Sequence, residues 1–232
     1  MIAIAWPPLT RATLIQRHKR FLADARLDNG EVITAHTANT GSMLTCSQPG
    51  RPIYLSRSNN PKRRYPYSWE MIEMPDGLVG VNTTLPNRLA VLAARAGFFP
   101  TWPLNAEVTS EVSIGHSRLD LRLKSPQGPT VWVEVKNCSL VEAGVALFPD
   151  AVSQRGTRHL LELAQLVEAG DRAIILILAQ RKARVFRPAA RIDPVWAKTL
   201  AQVVRQGVEI LAWGVDLTLT EASLGERLAV EL

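Results

Sequence analysis

Hydrophobic and polar positions alternate in short runs through the first third of the chain, and turn residues break each run. The alternation predicts strands over residues 13–15, 20–27, 32–36, 53–56, 68–73 and 78–81. The breaks fall at Asp28-Asn29-Gly30, Pro49-Gly50, Asn59-Asn60-Pro61 and Pro75-Asp76-Gly77. Five or six short strands at this spacing predict a small β-barrel. An OB-type barrel fits the size, and the pattern alone does not separate it from an SH3-like one.

Near Thr83 the period changes. Leu85, Leu89, Leu92, Ala93 and Ala96 recur at helical spacing up to Gly97, where a glycine can close a helix. The expected domains are therefore residues 1–82 and residues 83–232, the second including the linking helix. Beyond it the pattern predicts strands over 107–113, 119–123 and 131–136, and an amphipathic helix over 151–169 ended by Gly170-Asp171. A fully buried strand over 173–178, a helix over 194–206 and a last strand over 208–215 follow. The fold class is α+β in two domains, an N-terminal small barrel and a C-terminal mixed α/β sheet with flanking helices.

Composition narrows the class. Among 232 residues, 47% are hydrophobic, which is enough to build cores and argues against disorder. The net charge of +6 and a pI near 9.7 point to a polyanionic partner. Cys46 and Cys138 stand far apart without Cys-x-x-Cys spacing, and His18, His36 and His116 lack paired ligand spacing, so no zinc site is expected. The opening residues Met1 to Trp6 run into Pro7-Pro8 with the basic residues after the apolar stretch, the reverse of a secretory signal. The apolar run 173–179 is too short to cross a bilayer. A cytoplasmic protein with reduced thiols and no membrane partner is expected.

Positive charge gathers in the first domain. Arg17, Lys19 and Arg20 precede one strand, and Arg57, Lys62, Arg63 and Arg64 surround a turn leading into Tyr65, Tyr67 and Trp69. Cations interleaved with aromatic rings supply phosphate neutralisation and flat surfaces for bases. The same segment also fits a solvated turn followed by a strand whose rings fill the barrel. Asn39-Thr40-Gly41-Ser42-Met43 can offer N–H and hydroxyl groups to an anion, or can be a tight turn with Gly41 at positive φ. Asn82 or Thr83 reads as a helix cap.

The chemistry lies between Glu107 and Lys136. Alternation places Asp120 on the polar face of its strand with Arg118 and Arg122, and Glu134 with Lys136 on one face of the next. A turn-rich Ser125–Pro129 connector favours a hairpin, so Asp120, Glu134 and Lys136 converge as the candidate catalytic set. Two close carboxylates are best stabilised by a divalent cation, Mg²⁺ with Mn²⁺ as substitute, and Glu111 one strand upstream adds a third metal-binding candidate beside Asp120 and Glu134. A lysine beside the metal positions a nucleophile or stabilises developing charge. Asp, a loop and Glu-x-Lys resemble the PD-(D/E)XK nuclease pattern without its proline. Glu134 and Lys136 also fit a surface ion pair of little worth. The helix that follows carries Gln154, Arg155, Arg158 and His159, a basic edge able to hold a phosphate, although His159 equally fits a plain helix histidine.

Several ordered motifs resemble one family. Ala12-Thr13-Leu14-Ile15-Gln16-Arg17-His18-Lys19-Arg20-Phe21-Leu22-Ala23-Asp24, Asn39-Thr40-Gly41-Ser42-Met43, Lys62-Arg63-Arg64-Tyr65-Pro66-Tyr67-Ser68-Trp69-Glu70, Val133-Glu134-Val135-Lys136, Phe148-Pro149-Asp150-Ala151-Val152, and Arg155-Gly156 through His159-Leu160 look like the bacterial sugar fermentation stimulation protein A family. The resemblance implies an OB-like domain, a PD-(D/E)XK nuclease-like domain and DNA binding without sequence preference through backbone contacts. It further implies a regulatory role in sugar (maltose) metabolism. Asp120, Glu134 and Lys136 match the nuclease-type core, and Glu111 the upstream acidic position. The chain departs from the family at Ser153-Gln154 and Thr157-Arg158, where a Thr and a Gln-Lys pair are expected, so Gln154 and Thr157 receive no catalytic role. The alternative to a binding protein is a Mg²⁺-dependent endonuclease or exonuclease. A sequence-specific regulator is disfavoured, since no helix-turn-helix signature is present.

Overall fold

The computed structural model describes residues 2–115 and 117–232, so Met1 of the opening segment and His116 of the histidine set lie outside the described residues. Strand β1 (Ala3–Ala5) is followed by six strands that build the first unit: β2 (Leu9–His18), β3 (Leu22–Leu27), β4 (Val32–His36), β5 (Pro52–Arg57), β6 (Tyr67–Met74) and β7 (Gly77–Gly80). Their order is β4-β3-β2-β5-β6-β7, and β4 also pairs with β6 in parallel through His36 and Ser68. That single pairing closes five strands into a Greek-key barrel of the OB type, which decides between the two barrels the spacing allowed. Alternate positions of these strands, among them Ala12, Leu14, Ala23, Ala25, Ile53 and Leu55, fill its interior together with Trp69 and Ile72.

Helix α1 (Thr84–Arg95) leads into the second unit: β8 (Glu107–Ile114), β9 (Ser117–Lys124), β10 (Val131–Cys138), β11 (Val141–Glu142), β12 (Val145–Phe148), α2 (Gln154–Glu168), β13 (Arg172–Ala179), β14 (Val185–Pro188), α3 (Pro194–Arg205), β15 (Glu209–Leu217), β16 (Glu221–Arg227) and β17 (Ala229–Val230). A seven-stranded sheet runs β1-β16-β15-β13-β10-β9-β8, with β10, β13 and β15 parallel and the remaining pairings antiparallel. Strand β13 is apolar on both faces after Arg172, and β10 is apolar apart from Glu134, Lys136 and Asn137, because helices cover both faces of the sheet. Val131, Val133, Val135, Ile174, Leu176 and Leu178 pack on the side of α1. Trp132, Ile175 and Ile177 pack against α2 and α3. This is the mixed sheet with flanking helices that the sequence leads one to expect. Among the described residues no helix is long and apolar enough to cross a membrane.

Several local expectations are corrected. The range 1–82 includes β1, yet Ala3–Ala5 pairs with Glu221–Ser223 and so belongs to the second sheet. Strand β15 is not the last: β16 folds back on it, and with only Ala222 and Leu224 buried it carries too few apolar residues to stand out. Helix α2 begins at Gln154 rather than 151, because Ser153 Oγ accepts the Gly156 N–H at 2.9 Å and starts the helix there. Gly41 does not take positive φ, whereas Met43 does, at 50°. Gly41 is instead required by closeness, since a Cβ there would lie 2.9 Å from the Asp150 carboxylate.

That approach is part of the junction between the two units. The 39–43 loop does hold an anion, and the anion is Asp150 of the same chain: Ser42 Oγ and the Met43 N–H donate to its Oδ2 at 3.0 and 3.1 Å. Gln180, fully buried just beyond β13, donates through Nε2 to the Asn82 carbonyl at 3.1 Å and to Asn137 Oδ1 at 2.5 Å, while its main-chain carbonyl accepts the Gly80 N–H. A Cβ at Gly80 would fall 2.2 Å from Gln180 Oε1. Gly80→Ala is therefore expected to destabilise the protein by about 1–3 kcal/mol in urea unfolding. Combined with Gln180→Ala it should cost clearly less than the sum of the two single changes, and strict additivity would show that the two residues do not press on each other.

Candidate metal and nucleic-acid site

The register places Glu111, Asp120 and Glu134 at one level of three neighbouring strands. Between β9 and β10 the pairing runs Leu123 with Val131, Arg122 with Trp132 and Leu121 with Val133, and stops there. Asp120 is the next residue, and its side chain replaces the missing ladder bond by accepting the Val135 N–H at Oδ2, 2.7 Å away. On the other side of β9, Ser110 faces Leu121 and Val112 faces Leu119, so Glu111 stands opposite Asp120 in an unshifted register, with a left-handed φ of 57° that departs from strand geometry. The alternation of β9 breaks at the same level: Leu121 and Leu123 pack toward α1, and Leu119 toward α2 and α3.

Each buried carboxylate has its own set of donors. Asp120 Oδ1 accepts Asn87 Nδ2 of α1 at 2.7 Å. Glu134, 3% exposed, receives two donors on Oε1: Lys136 Nζ at 2.6 Å and His159 Nδ1 of α2 at 2.5 Å. Its Oε2 is buried without a partner among the described residues. Burial, then the charge of Glu134, push the Asp120 carboxyl up to about 6, against the Val135 N–H, Lys136 and Asn87. Burial also works to raise Glu134, but the Lys136 ammonium and the His159 hydrogen bond outweigh it and hold this carboxyl below the usual range. One carboxylate is thus secured as an anion and its neighbour resists becoming one.

The expected three-carboxylate metal set is corrected. Among the described residues no group of three His, Cys, Asp or Glu side chains is assembled to hold a metal. Glu111, at its left-handed φ, faces outward and pairs with Arg118 at 2.7 Å with about half of its side chain exposed. Asp120, Glu134 and Lys136 are brought together as expected.

The basic residues divide. Lys19 and Arg20 are exposed at the β2–β3 turn, and Arg57, Lys62 and Arg64 are exposed around the turn before β6. The two turns share one end of the barrel: His36 lies beside Phe21, and burial followed by the Arg63 charge holds its pKa below the usual value. Arg57 and Arg64 stack over the half-buried rings of Tyr67 and Tyr65 at 5.9 and 5.4 Å. Arg63 donates to Ser68 Oγ at 2.9 Å. None of these cations forms an ion pair among the described residues. Arg155 and Arg158 are exposed and line a recess with Arg118.

Two expected contacts and one expected ring surface fall elsewhere. Arg17 is half-buried, and its Nη2 donates to the carbonyls of Arg20, Asn39 and Gly41 at 2.5, 2.9 and 2.9 Å, so its guanidinium organises the junction loop instead of facing solvent. Burial lowers its pKa. His159 is almost wholly buried against Glu134, while it also lines the recess of Arg118, Arg155 and Arg158. Trp69 is fully buried and donates to the Met71 carbonyl. Sequence reasoning missed Asn87; its signal is a polar side chain two residues after buried Leu85 and two before buried Leu89, in the first turns of α1.

The raised Asp120 carboxyl makes stability depend on pH. Its folded pKa of about 6 lies above the ordinary 3.8, so the native state holds the proton more tightly, and stability falls as pH rises from about 4 to about 6. Asp120→Asn keeps an acceptor for the Val135 N–H and removes the charge. It should raise stability at pH 7 by on the order of 1–3 kcal/mol, with the gain shrinking below pH 4. Thermal unfolding of the two proteins across pH checks this, and an equal gain at pH 3.5 and pH 7 would contradict it.

Residues 84–221 match the family described as the sugar fermentation stimulation protein RE domain, and residues 15–81 match the SfsA N-terminal OB domain. A sugar fermentation stimulation protein homolog of Geobacter sulfurreducens is 49% identical over 226 residues, 96% of each chain. One of Paramagnetospirillum magneticum is 46% identical over 227 residues, 97% of this chain and 96% of that one. The structure of Pyrococcus furiosus SfsA in complex with Ca²⁺ superposes with a TM-score of 0.93 over the whole of both chains at 27% identity. Agreement in both domains and over their full length leaves one assignment: the chain belongs to the sugar fermentation stimulation protein family.

Proposed function

We propose that the protein binds DNA along its phosphate backbone and holds a divalent cation between Asp120 and Glu134, where a phosphate of the bound strand meets it. One observation carries the reading. Two buried carboxylates and a lysine share a site in which Glu134 Oε2 has no partner among the described residues, and exposed arginines flank it. An unpartnered anionic oxygen beside a carboxyl that resists ionising is a donor set that a cation satisfies at both points. That a relative was solved in complex with Ca²⁺ supports a divalent ion of this kind. Mg²⁺ is the expected physiological occupant, with Mn²⁺ as substitute. Glu111 joins only if it releases Arg118.

Within this reading Asn87 and the Val135 N–H orient Asp120, and Lys136 places an ammonium beside the metal-facing carboxylate. Arg155 and Arg158 hold neighbouring phosphates through charge-assisted hydrogen bonds. Lys19, Arg20, Arg57, Lys62 and Arg64 neutralise backbone charge at the end of the barrel, with Tyr65 and Tyr67 as stacking surfaces. A regulatory role in sugar metabolism is supported by the name the relatives carry. Cleavage is the second reading, favoured by Lys136 lying 2.6 Å from Glu134 on the same strand face. When bound, the cation supplies charge neutralisation at the phosphodiester and a more acidic water; Lys136 then stabilises the charge that develops on the phosphate oxygens.

Binding measured from low to moderate salt should give a straight, steep fall of log affinity with log salt, alike for unrelated sequences. Replacing Arg57, Lys62 and Arg64 by alanine should flatten that slope by about 1 for each phosphate that is no longer neutralised. A marked preference for one sequence in competition would contradict backbone binding. For the chemistry, supercoiled and single-stranded DNA would be incubated with Mg²⁺, Mn²⁺ or EDTA. Metal-dependent cutting that Asp120→Ala abolishes, with binding retained, establishes the nuclease. A metal-independent shift without cutting leaves the binding protein.

A further inference from the structure

We infer that His159 is a positioning residue for Glu134: it fixes one carboxylate oxygen so that the other is presented to the divalent cation. The inference rests on the metal reading above. His159 lies on the buried face of α2 next to Leu160, one turn after the exposed Arg155. Arg155 Nε donates to His159 Nε2 at 3.3 Å, which makes that ring nitrogen the acceptor and leaves the proton on Nδ1. Nδ1 then donates to Glu134 Oε1 at 2.5 Å.

Lys136 reaches the same oxygen from the strand, so Oε1 takes both donors while Oε2, also buried, takes none among the described residues. A lysine on a flexible stem follows its partner and does not define the plane of a carboxylate. A rigid ring anchored at both nitrogens does, and it selects which oxygen remains for a cation. Metal-bound carboxylates and histidines are held this way by outer partners, whose removal typically costs 10- to 100-fold in affinity.

The test is Ca²⁺ and Mn²⁺ binding to the full chain by titration calorimetry, with circular dichroism and unfolding in EDTA to check the fold. Three variants are compared, His159→Ala, His159→Asn and His159→Gln. Asparagine places an amide N–H where Nδ1 stands, whereas glutamine places one nearer Nε2. The expected result is affinity within about threefold of wild type for His159→Asn, and a loss of about 10- to 100-fold for His159→Ala and His159→Gln. Should the alanine variant fail to fold, the asparagine and glutamine pair decides. Wild-type affinity in folded His159→Ala, or equal affinities in the asparagine and glutamine variants, overturns the inference alone. A wild type that binds neither cation overturns the metal reading, and the inference with it.

Discussion

Two carboxylates sit at one level of a sheet whose other buried positions are apolar, and much of the surrounding architecture is arranged around that repulsion. Burial disfavours the ionised form of each, and closeness disfavours ionising both. The donors that offset this come from separate elements: the Val135 amide of β10, Asn87 of α1, Lys136 of β10 and His159 of α2. Helices on opposite faces of the sheet therefore each contribute one side chain to a single point. The break in the β9–β10 ladder is part of the same solution, because an amide released from the ladder becomes a donor for Asp120. Asp120 remains a source of instability at neutral pH.

The barrel is held to this sheet by polar contacts close to the site. Asp150 is gripped by Ser42 and Met43 in a loop whose carbonyls Arg17 collects. Gln180 ties the exit of the barrel at Asn82 to Asn137, the neighbour of Lys136 on β10. Glycine permits the close approach at both places, Gly41 under Asp150 and Gly80 under Gln180. An orienting contact between the two units thus lies one residue along the strand from the lysine of the site.

The barrel, the apolar strands and the Asp120, Glu134 and Lys136 set are legible in the sequence, because a charged residue inside an otherwise aliphatic alternating run is conspicuous. Direction is less legible. Charge alone does not distinguish Arg20, which faces solvent, from Arg17, which faces carbonyl oxygens, since both occur in one basic run. The same holds for Arg158 and His159, adjacent on α2, of which one is exposed and the other buried. Glu111 misleads for a different reason: period-2 reasoning assumes regular strand backbone throughout, and a left-handed φ at Glu111 changes where its side chain points. Strands β1 and β16 are short or sparsely apolar, and their pairing depends on partners remote in sequence, which no local window contains.

That remote pairing shapes how the molecule is made. Strand β1 precedes the barrel in the chain but belongs beyond it, on the far edge of the large sheet beside β16. The barrel is thus an insertion tethered at two points, on Trp6 to Pro8 and on Val81 to Thr83, and a simple one-hinge swing is closed to it. During synthesis the barrel has all its strands early and can fold as a unit. Ala3–Ala5, made before any of it, must wait for Glu221–Ser223. The apolar Ile2 and Ile4 stay uncovered through that interval. Completion of the large sheet is therefore a late event with a long loop to close, and residues made before the barrel are among the last to be buried.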